Sequence, residues 1–276
     1  MSDTRAVVCI DLDGTLLDVQ ERIQPEDVRA LQERHDVIFI PATGRSLDSV
    51  KRVFARNSLF EGEPLPFPLI LLNGSLLYGF HEKLLAFQAF APDTQNQVQR
   101  HLYSQSDVCF LLLGLERNYL LSPTPFGIAA CLRYQFMYEL LDDSSQVDIP
   151  ISKVMCFSGN PHALTQIAQE FASLPVEGAY SMETIYELTP PGIDKGSGLH
   201  RLLHHLELAP TAVLAAGDGG NDLSLLKQAD VSFTTFSAPE AVRTQADFLI
   251  EPSSQGILQP LLALGLSASA NISSDL

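Results

Sequence analysis

No stretch of this 276-residue chain approaches the roughly 18 consecutive apolar residues of a membrane-spanning helix, so a helical membrane protein is excluded. The start, Met1-Ser2-Asp3-Thr4-Arg5, leads into a short Val/Cys/Ile run that ends at Asp11, too short and too soon acidic for a secretory signal peptide. Positive charge is scarce. Lys and Arg number 17 against 33 Asp and Glu, a formal charge of −16, and the pI is near 4.7. That balance argues against nucleic-acid partners and anionic membrane surfaces. Cysteine is sparse too. Cys9, Cys109, Cys131 and Cys156 include no CxxC pair, and each lies in an apolar stretch. They read as buried reduced thiols of a cytoplasmic protein rather than as disulfides or zinc ligands. On that reading the sequon Asn271-Ile272-Ser273 carries no glycan. Also missing are an internal repeat, a Ser/His/Asp nucleophile elbow and a Walker lysine loop.

What is present is an ordinary globular composition, 46% apolar, with enough chain for one large domain or two smaller ones. Short apolar runs at 6–10, 37–40 and 69–72 alternate with helical patterns at 26–35 and 46–56, Ser46 being a candidate N-cap. Strand–helix alternation of this kind marks a parallel sheet. From about 76 to 190 the rhythm changes. Leu111–Leu113 and Val154–Phe157 read as strands, and His162–Leu174 as an amphipathic helix. Tyr134, Phe136 and Tyr138 alternate as in a further strand, and 142–148 is an acidic loop. From about 194 the alternation returns: a helix over 198–208, strands at 212–216, 231–233 and 248–250, and a frayed polar end over the last ten residues. The expected fold is α/β. A doubly wound, mostly parallel sheet is made by 1–79 with 190–276, and an α+β domain is inserted over 80–189.

In such sheets ligands sit at the carboxyl ends of the strands. Four polar clusters each follow an apolar run or open a helix. Asp11 and Asp13 come straight after the first strand, and Gly14 lets the chain turn at once. Residues i and i+2 of an extended chain point the same way, so these two carboxylates repel unless a cation joins them or one is protonated. A plain Asp-Gly turn with a capping aspartate would look the same. Thr43-Gly44-Arg45-Ser46, after the second strand, offers a hydroxyl and backbone N–H groups at a helix start, an anion site or an ordinary cap. Lys195 stands at a helix N-terminus, where the dipole disfavours it unless an anion is bound or the side chain is simply solvated. Gly217-Asp218-Gly219-Gly220-Asn221-Asp222 supplies two more carboxylates and an amide, with glycine spacing wrong for a dinucleotide fold. Together they describe a site for a hard divalent cation, Mg²⁺, beside an anion cradle. The cation, Lys195 and Arg45 would hold a phosphate in a protein of strongly negative charge. His200 and His204, four apart on one helix without a third ligand in sight, read as surface residues.

Asp11-Leu12-Asp13-Gly14-Thr15-Leu16-Leu17, Thr43-Gly44-Arg45, Lys195-Gly196 and Gly217–Asp222 resemble the four motifs of the haloacid dehalogenase superfamily, phosphatase branch. Asn73-Gly74 after the third strand, the insert between the second and third motifs, and Glu187–Lys195 resemble its Cof-like subgroup. The resemblance implies a Mg²⁺-dependent phosphatase acting on a small phosphate monoester such as a sugar phosphate. In it Asp11 is the nucleophile that forms an aspartyl-phosphate, and Asp13 the general acid and base. Thr43, Gly44, Lys195 and Asn221 bind phosphate. Asp11, Asp218, Asp222 and the backbone carbonyl of Asp13 hold the metal, and Arg45 and Asn73 are candidates for substrate contact. A phosphomutase or phosphotransferase, or a non-catalytic phosphate-binding protein, would use the same scaffold. One departure stands out: Thr235-Phe236-Ser237-Ala238 replaces the subgroup's usual Gly-Asn-Ala. The sequence names neither the substrate nor the oligomeric state.

Overall fold

The computed structural model describes residues 5–102, 107–251 and 256–274. In chain order the elements are β1 (Ala6–Ile10), α1 (Pro25–Glu33), β2 (Val37–Pro41), α2 (Leu47–Arg56), β3 (Leu69–Leu71), β4 (Leu76–Tyr78) and β5 (Leu84–Phe87). There follow α3 (Pro92–His101), β6 (Cys109–Leu113), β7 (Asn118–Leu121), α4 (Pro125–Arg133), β8 (Glu139–Leu140), β9 (Lys153–Phe157), α5 (Pro161–Phe171), β10 (Glu177–Met182) and β11 (Ile185–Thr189). The last part holds α6 (Lys195–His205), β12 (Val213–Ala216), α7 (Leu223–Leu226), β13 (Val231–Thr235), α8 (Glu240–Arg243), β14 (Phe248–Ile250) and α9 (Leu258–Ser274).

Two compact units result, Met1–Leu85 with Lys195–Leu276 and the insert Ala86–Asp194. The joints thus fall at 85/86 and 194/195, where the sequence expectation has 79/80 and 189/190. In the first unit five parallel strands run in the order β14-β13-β12-β1-β2. The central strand β1 is buried along its whole length, with Val7, Val8, Cys9 and Ile10 fully inaccessible. A strand covered on both faces needs this unbroken apolar run. The third apolar run departs from expectation. β3 touches the parallel sheet only through a bridge between Ala42 and Ile70, and otherwise pairs antiparallel with β4 in a small sheet, β3-β4-β5.

The insert is a six-stranded sheet in the order β10-β11-β9-β6-β7-β8, antiparallel except for the β7–β8 pair. Residues from α3 and α5 (Val98, Leu164, Ile167 and Phe171) pack with Phe110, Leu112, Val154 and Leu188 of the strands in one apolar cluster. Tyr134, Phe136 and Tyr138 lie in no strand. Gln135 takes φ +57, and the N–H groups of Gln135 and Phe136 return to the carbonyls of Leu132 and Cys131. This Schellman closure of α4 tucks the Tyr134 and Phe136 rings inward. All four cysteines are buried and free. Among the described residues no helix is long and apolar enough to cross a membrane.

The chain end also differs from the frayed tail expected, because α9 continues to Ser274. Its start is fastened from across the first unit. The Asp27 carboxylate in α1, 1% exposed, accepts the N–H of Leu258 at 2.8 Å and that of Ile257 at 3.0 Å. An N-cap is normally supplied by the helix's own flanking residue; here another helix supplies it. Asp27→Ala would strand those first-turn donors. It is expected to cost about 2 kcal/mol in a urea titration, with Asp27→Asn losing less.

Candidate active site

The parallel register brings three loops to one level. Ile10 pairs with both Ala216 and Pro41, so Asp11, Gly217 and Ala42 emerge side by side at the carboxyl edge. Asp11, 5% exposed, donates its N–H to Ala216 and leads into a tight turn. In that turn Gly14 has φ +85, and a Cβ there would run into the Asp218 carboxylate. The turn places the Thr15 hydroxyl 2.9 Å from Asp218 Oδ1, to which it donates.

Lys195, the first residue of α6, is 1% exposed and therefore no solvated surface lysine. Its Nζ donates to Asp11 Oδ1 and to Asp222 Oδ1, each at 2.6 Å. Two carboxylates thus answer the clash between an ammonium and a helix N-terminus. The other oxygen of Asp222 accepts the N–H groups of Asp218 (3.1 Å) and Gly219 (2.8 Å). Carboxylate oxygens of Asp11, Asp218 and Asp222 lie within 4.8 Å of one another.

Burial raises the Asp11 carboxyl well above its ordinary range, and the Asp222 and Asp218 charges add to the shift although Lys195 opposes it. Asp218 is pushed up to about 6, by burial first and Asp222 second, with the Thr15 bond and Lys195 pulling back. Burial works against the Lys195 charge, but Asp11 and Asp222 outweigh it and hold the ammonium above its usual range. When all are ionised, three carboxylates facing one ammonium leave two negative charges over. That is the charge of one divalent cation, and an all-oxygen donor set suits a hard one. The residues therefore fit the metal that the motifs imply.

Asp13 is different. Its carboxylate stands outside the three-residue group and meets Arg45, with Nε to Oδ2 at 2.8 Å and Nη2 to Oδ1 at 2.5 Å. The same Nη2 donates to Glu21 Oε1 at 2.6 Å, and Nη1 to Ser49 Oγ at 3.1 Å. Arg45, expected as a candidate for substrate contact, is thus held by two carboxylates beside the acidic group, its side chain 4% exposed. The hydrogen bonds of Asp13 and Glu21 keep it charged against the opposing effect of burial.

Thr43 is fully buried; its hydroxyl accepts the Arg45 N–H at 3.2 Å, and Gly44 beside it is half-buried. Ser46 is the N-cap of α2 by position, but its side chain makes no cap bond. Asn73, at φ +56, donates its N–H to the Thr43 carbonyl at 3.1 Å and accepts from Asn221 Nδ2 at 3.3 Å. The second and fourth motifs and the 73–74 turn therefore meet. His200 and His204 are exposed on α6, outside the acidic group. The unusual segment after β13 closes on a 3.0 Å contact between the Thr235 and Ser237 hydroxyls. Sequence reasoning missed Thr15, which lies within the first motif, and Glu21, for which no local signal exists.

A family model described as haloacid dehalogenase-like hydrolase matches residues 8–261. The 5-amino-6-(5-phospho-D-ribitylamino)uracil phosphatase YcsE of Bacillus subtilis is 23% identical over 247 residues, covering 89% of each chain. The chloroplastic endoribonuclease YBEY of Arabidopsis thaliana is 24% identical over 253 residues, 87% of this chain; that match spans only 43% of the plant protein. Among solved structures, a haloacid dehalogenase-like hydrolase from B. subtilis superposes with a TM-score of 0.79 at 19% identity, covering 95% of this chain and 97% of that one. A HAD subclass IIB sugar phosphatase, BT4131, does so with a TM-score of 0.77 at 20% identity, covering 95% and 100%. These likenesses show the fold, a parallel core with an additional antiparallel unit.

The Asp218 shift has a thermodynamic signature. The folded protein keeps a proton up to about pH 6, whereas the group's ordinary value is 3.8. The stability this proton supplies is complete below the ordinary value and is lost as pH rises through 6. In EDTA, Asp218→Asn is therefore expected to be more stable than the wild type at pH 8, by about 3 kcal/mol. The gap should close towards pH 4 in thermal unfolding, and a gap independent of pH would refute the assignment.

Proposed function

Because the chain belongs to the haloacid dehalogenase-like hydrolases, we propose that it is a Mg²⁺-dependent phosphatase that hydrolyses a small phosphate monoester by way of an aspartyl-phosphate on Asp11. The observation that carries this reading is the buried contact of Asp11 and Asp222 with one lysine, beside Asp218. Asp11, Asp218 and Asp222, with the Asp13 carbonyl, would hold Mg²⁺, which when bound offsets the charge of these carboxylates and of the phosphate.

An Asp11 carboxylate oxygen attacks phosphorus in line, and the bond from phosphorus to the ester oxygen breaks. Protonated Asp13 gives its proton to that oxygen, and the alcohol leaves. The Asp13 carboxylate then takes a proton from water as the water oxygen attacks phosphorus. The bond from phosphorus to Asp11 breaks, and phosphate departs with Asp13 protonated again. Lys195, the Thr43 hydroxyl, the Gly44 N–H and Asn221 supply positive or donor surface for the phosphoryl oxygens. Asn73 orients Asn221 through their amide contact. Positioning and charge neutralisation are what phosphoryl transfer asks of a protein. The insert Ala86–Asp194 is proposed as the cap that selects the leaving group. Its size and the bacterial relative named for a phosphoribityl compound favour a metabolite such as a sugar phosphate. Four buried free thiols support a reducing, cytoplasmic setting.

The test is phosphate release from 4-nitrophenyl phosphate and a panel of sugar phosphates, with Mg²⁺ or EDTA. Wild type is expected to turn over with Mg²⁺ and to stop in EDTA. Asp11→Asn is expected to lose at least about 10³-fold in kcat/KM, roughly 4 kcal/mol of transition-state stabilisation. Undiminished activity in that variant would sink the proposal.

A further inference from the structure

We infer that Arg45, itself held by Glu21, is a positioning residue that fixes the orientation of the Asp13 carboxylate for proton transfer to the leaving group and from the attacking water. The inference rests on the phosphatase reading above and goes beyond it. Of the four aspartates in the first and last motifs, Asp13 is the one outside the group formed by Asp11, Asp218 and Asp222, and it is the one gripped by a guanidinium. The grip is two-pronged, Nε on one oxygen and Nη2 on the other. Such a fork holds the carboxylate coplanar with the guanidinium, which a lysine's point charge does not do. Asp13 lies two residues from Asp11 on the same edge; the fork holds its carboxylate outside the acidic group.

The fork is itself anchored. Arg45 Nη2 also meets Glu21, Glu21 Oε2 accepts Arg56 Nη1 at 2.9 Å, and Arg45 Nη1 meets Ser49. Ser49 and Arg56 lie near the two ends of α2. The Glu21 carbonyl accepts Asn57 Nδ2 at 3.0 Å, and Asn57 Oδ1 accepts the Ile23 N–H at 2.8 Å. An alternating row, Asp13–Arg45–Glu21–Arg56, thus ties the turn after β1 to one rigid helix. The row has an open end, since Asp13 is 28% exposed while Arg45 is 4% exposed. A carboxylate offers about four lone-pair sites, and the fork uses two. The remaining sites are free to exchange a proton with a substrate oxygen.

The discriminating measurement is a leaving-group comparison on the full chain, using kcat/KM, which reports steps through phosphoenzyme formation. 4-Nitrophenolate leaves without a proton; the alkoxide of glucose 6-phosphate or glycerol 2-phosphate needs one. For Arg45→Lys the expected result is a loss of about 10²-fold on the alkyl phosphates against less than about 3-fold on 4-nitrophenyl phosphate, with KM unchanged. Glu21→Gln, which leaves the Asp13–Arg45 pair in place, should show the same asymmetry at about 10-fold and guards against a fold defect in Arg45→Lys. Equal losses on both leaving groups would overturn the inference, because a structural fault does not distinguish them. A raised KM at constant kcat would also overturn it and return Arg45 to substrate contact. Absence of turnover by the wild type on every ester would instead be the failure of the phosphatase reading, and the inference would fall with it.

Discussion

One ammonium group organises the carboxyl edge of the parallel sheet. Lys195 Nζ lies 2.6 Å from both Asp11, at the end of β1, and Asp222, beyond β12. Without it, buried like charges from two neighbouring strand ends would repel in a medium that screens them poorly. Bringing it there requires the start of α6 to come very close to other backbone. Gly196 and Gly198 permit that approach: a Cβ on the first would strike the Ser224 carbonyl, and one on the second would strike Gly74 and Ile70. The glycine next to the lysine is therefore as much a condition of the site as the lysine.

Much of this was legible in the sequence because its causes are local. An apolar run closed by Asp11 says where a buried strand stops, and the glycines at 14 and 217 say the chain turns there. The acidic types at strand ends, with the topology of a parallel sheet, then force Asp11, Asp218 and Asp222 towards one another. Other features have non-local causes. The partners of Lys195 come from other strand ends, so the sequence exposed the conflict at the helix start without showing how two carboxylates resolve it. Arg45 looked like a phosphate ligand because its type and motif suit one. Only the path of the turn after β1, which carries Glu21 to α2, turns the guanidinium inward.

The misread segments follow the same division. Alternation at Tyr134, Phe136 and Tyr138 has the period of a strand, but a left-handed Gln135 and two helix-closing hydrogen bonds produce the same burial without one. The chain end looked polar enough to fray. What keeps the start of α9 in place is Asp27, an acidic residue inside α1 that gives no local hint of a partner some 230 positions away.

The position of β1 bears on how the protein is made. It precedes every other element of the sheet in chain order, and it takes an interior place in the sheet. Yet one of its two edges is completed only by β12, with Val7 opposite Val213 and Ile10 opposite Ala216. During synthesis β1 and β2 can form a ladder early, while the other edge of β1 stays bare until β12 has been translated. The insert, which has its own sheet and its own apolar core, is complete before that moment. Its early folding would shorten the loop that β12 must close, lowering the entropy of closure. The exposed edge is where a nascent chain of this topology is open to mispairing, and where a holding chaperone has something to bind.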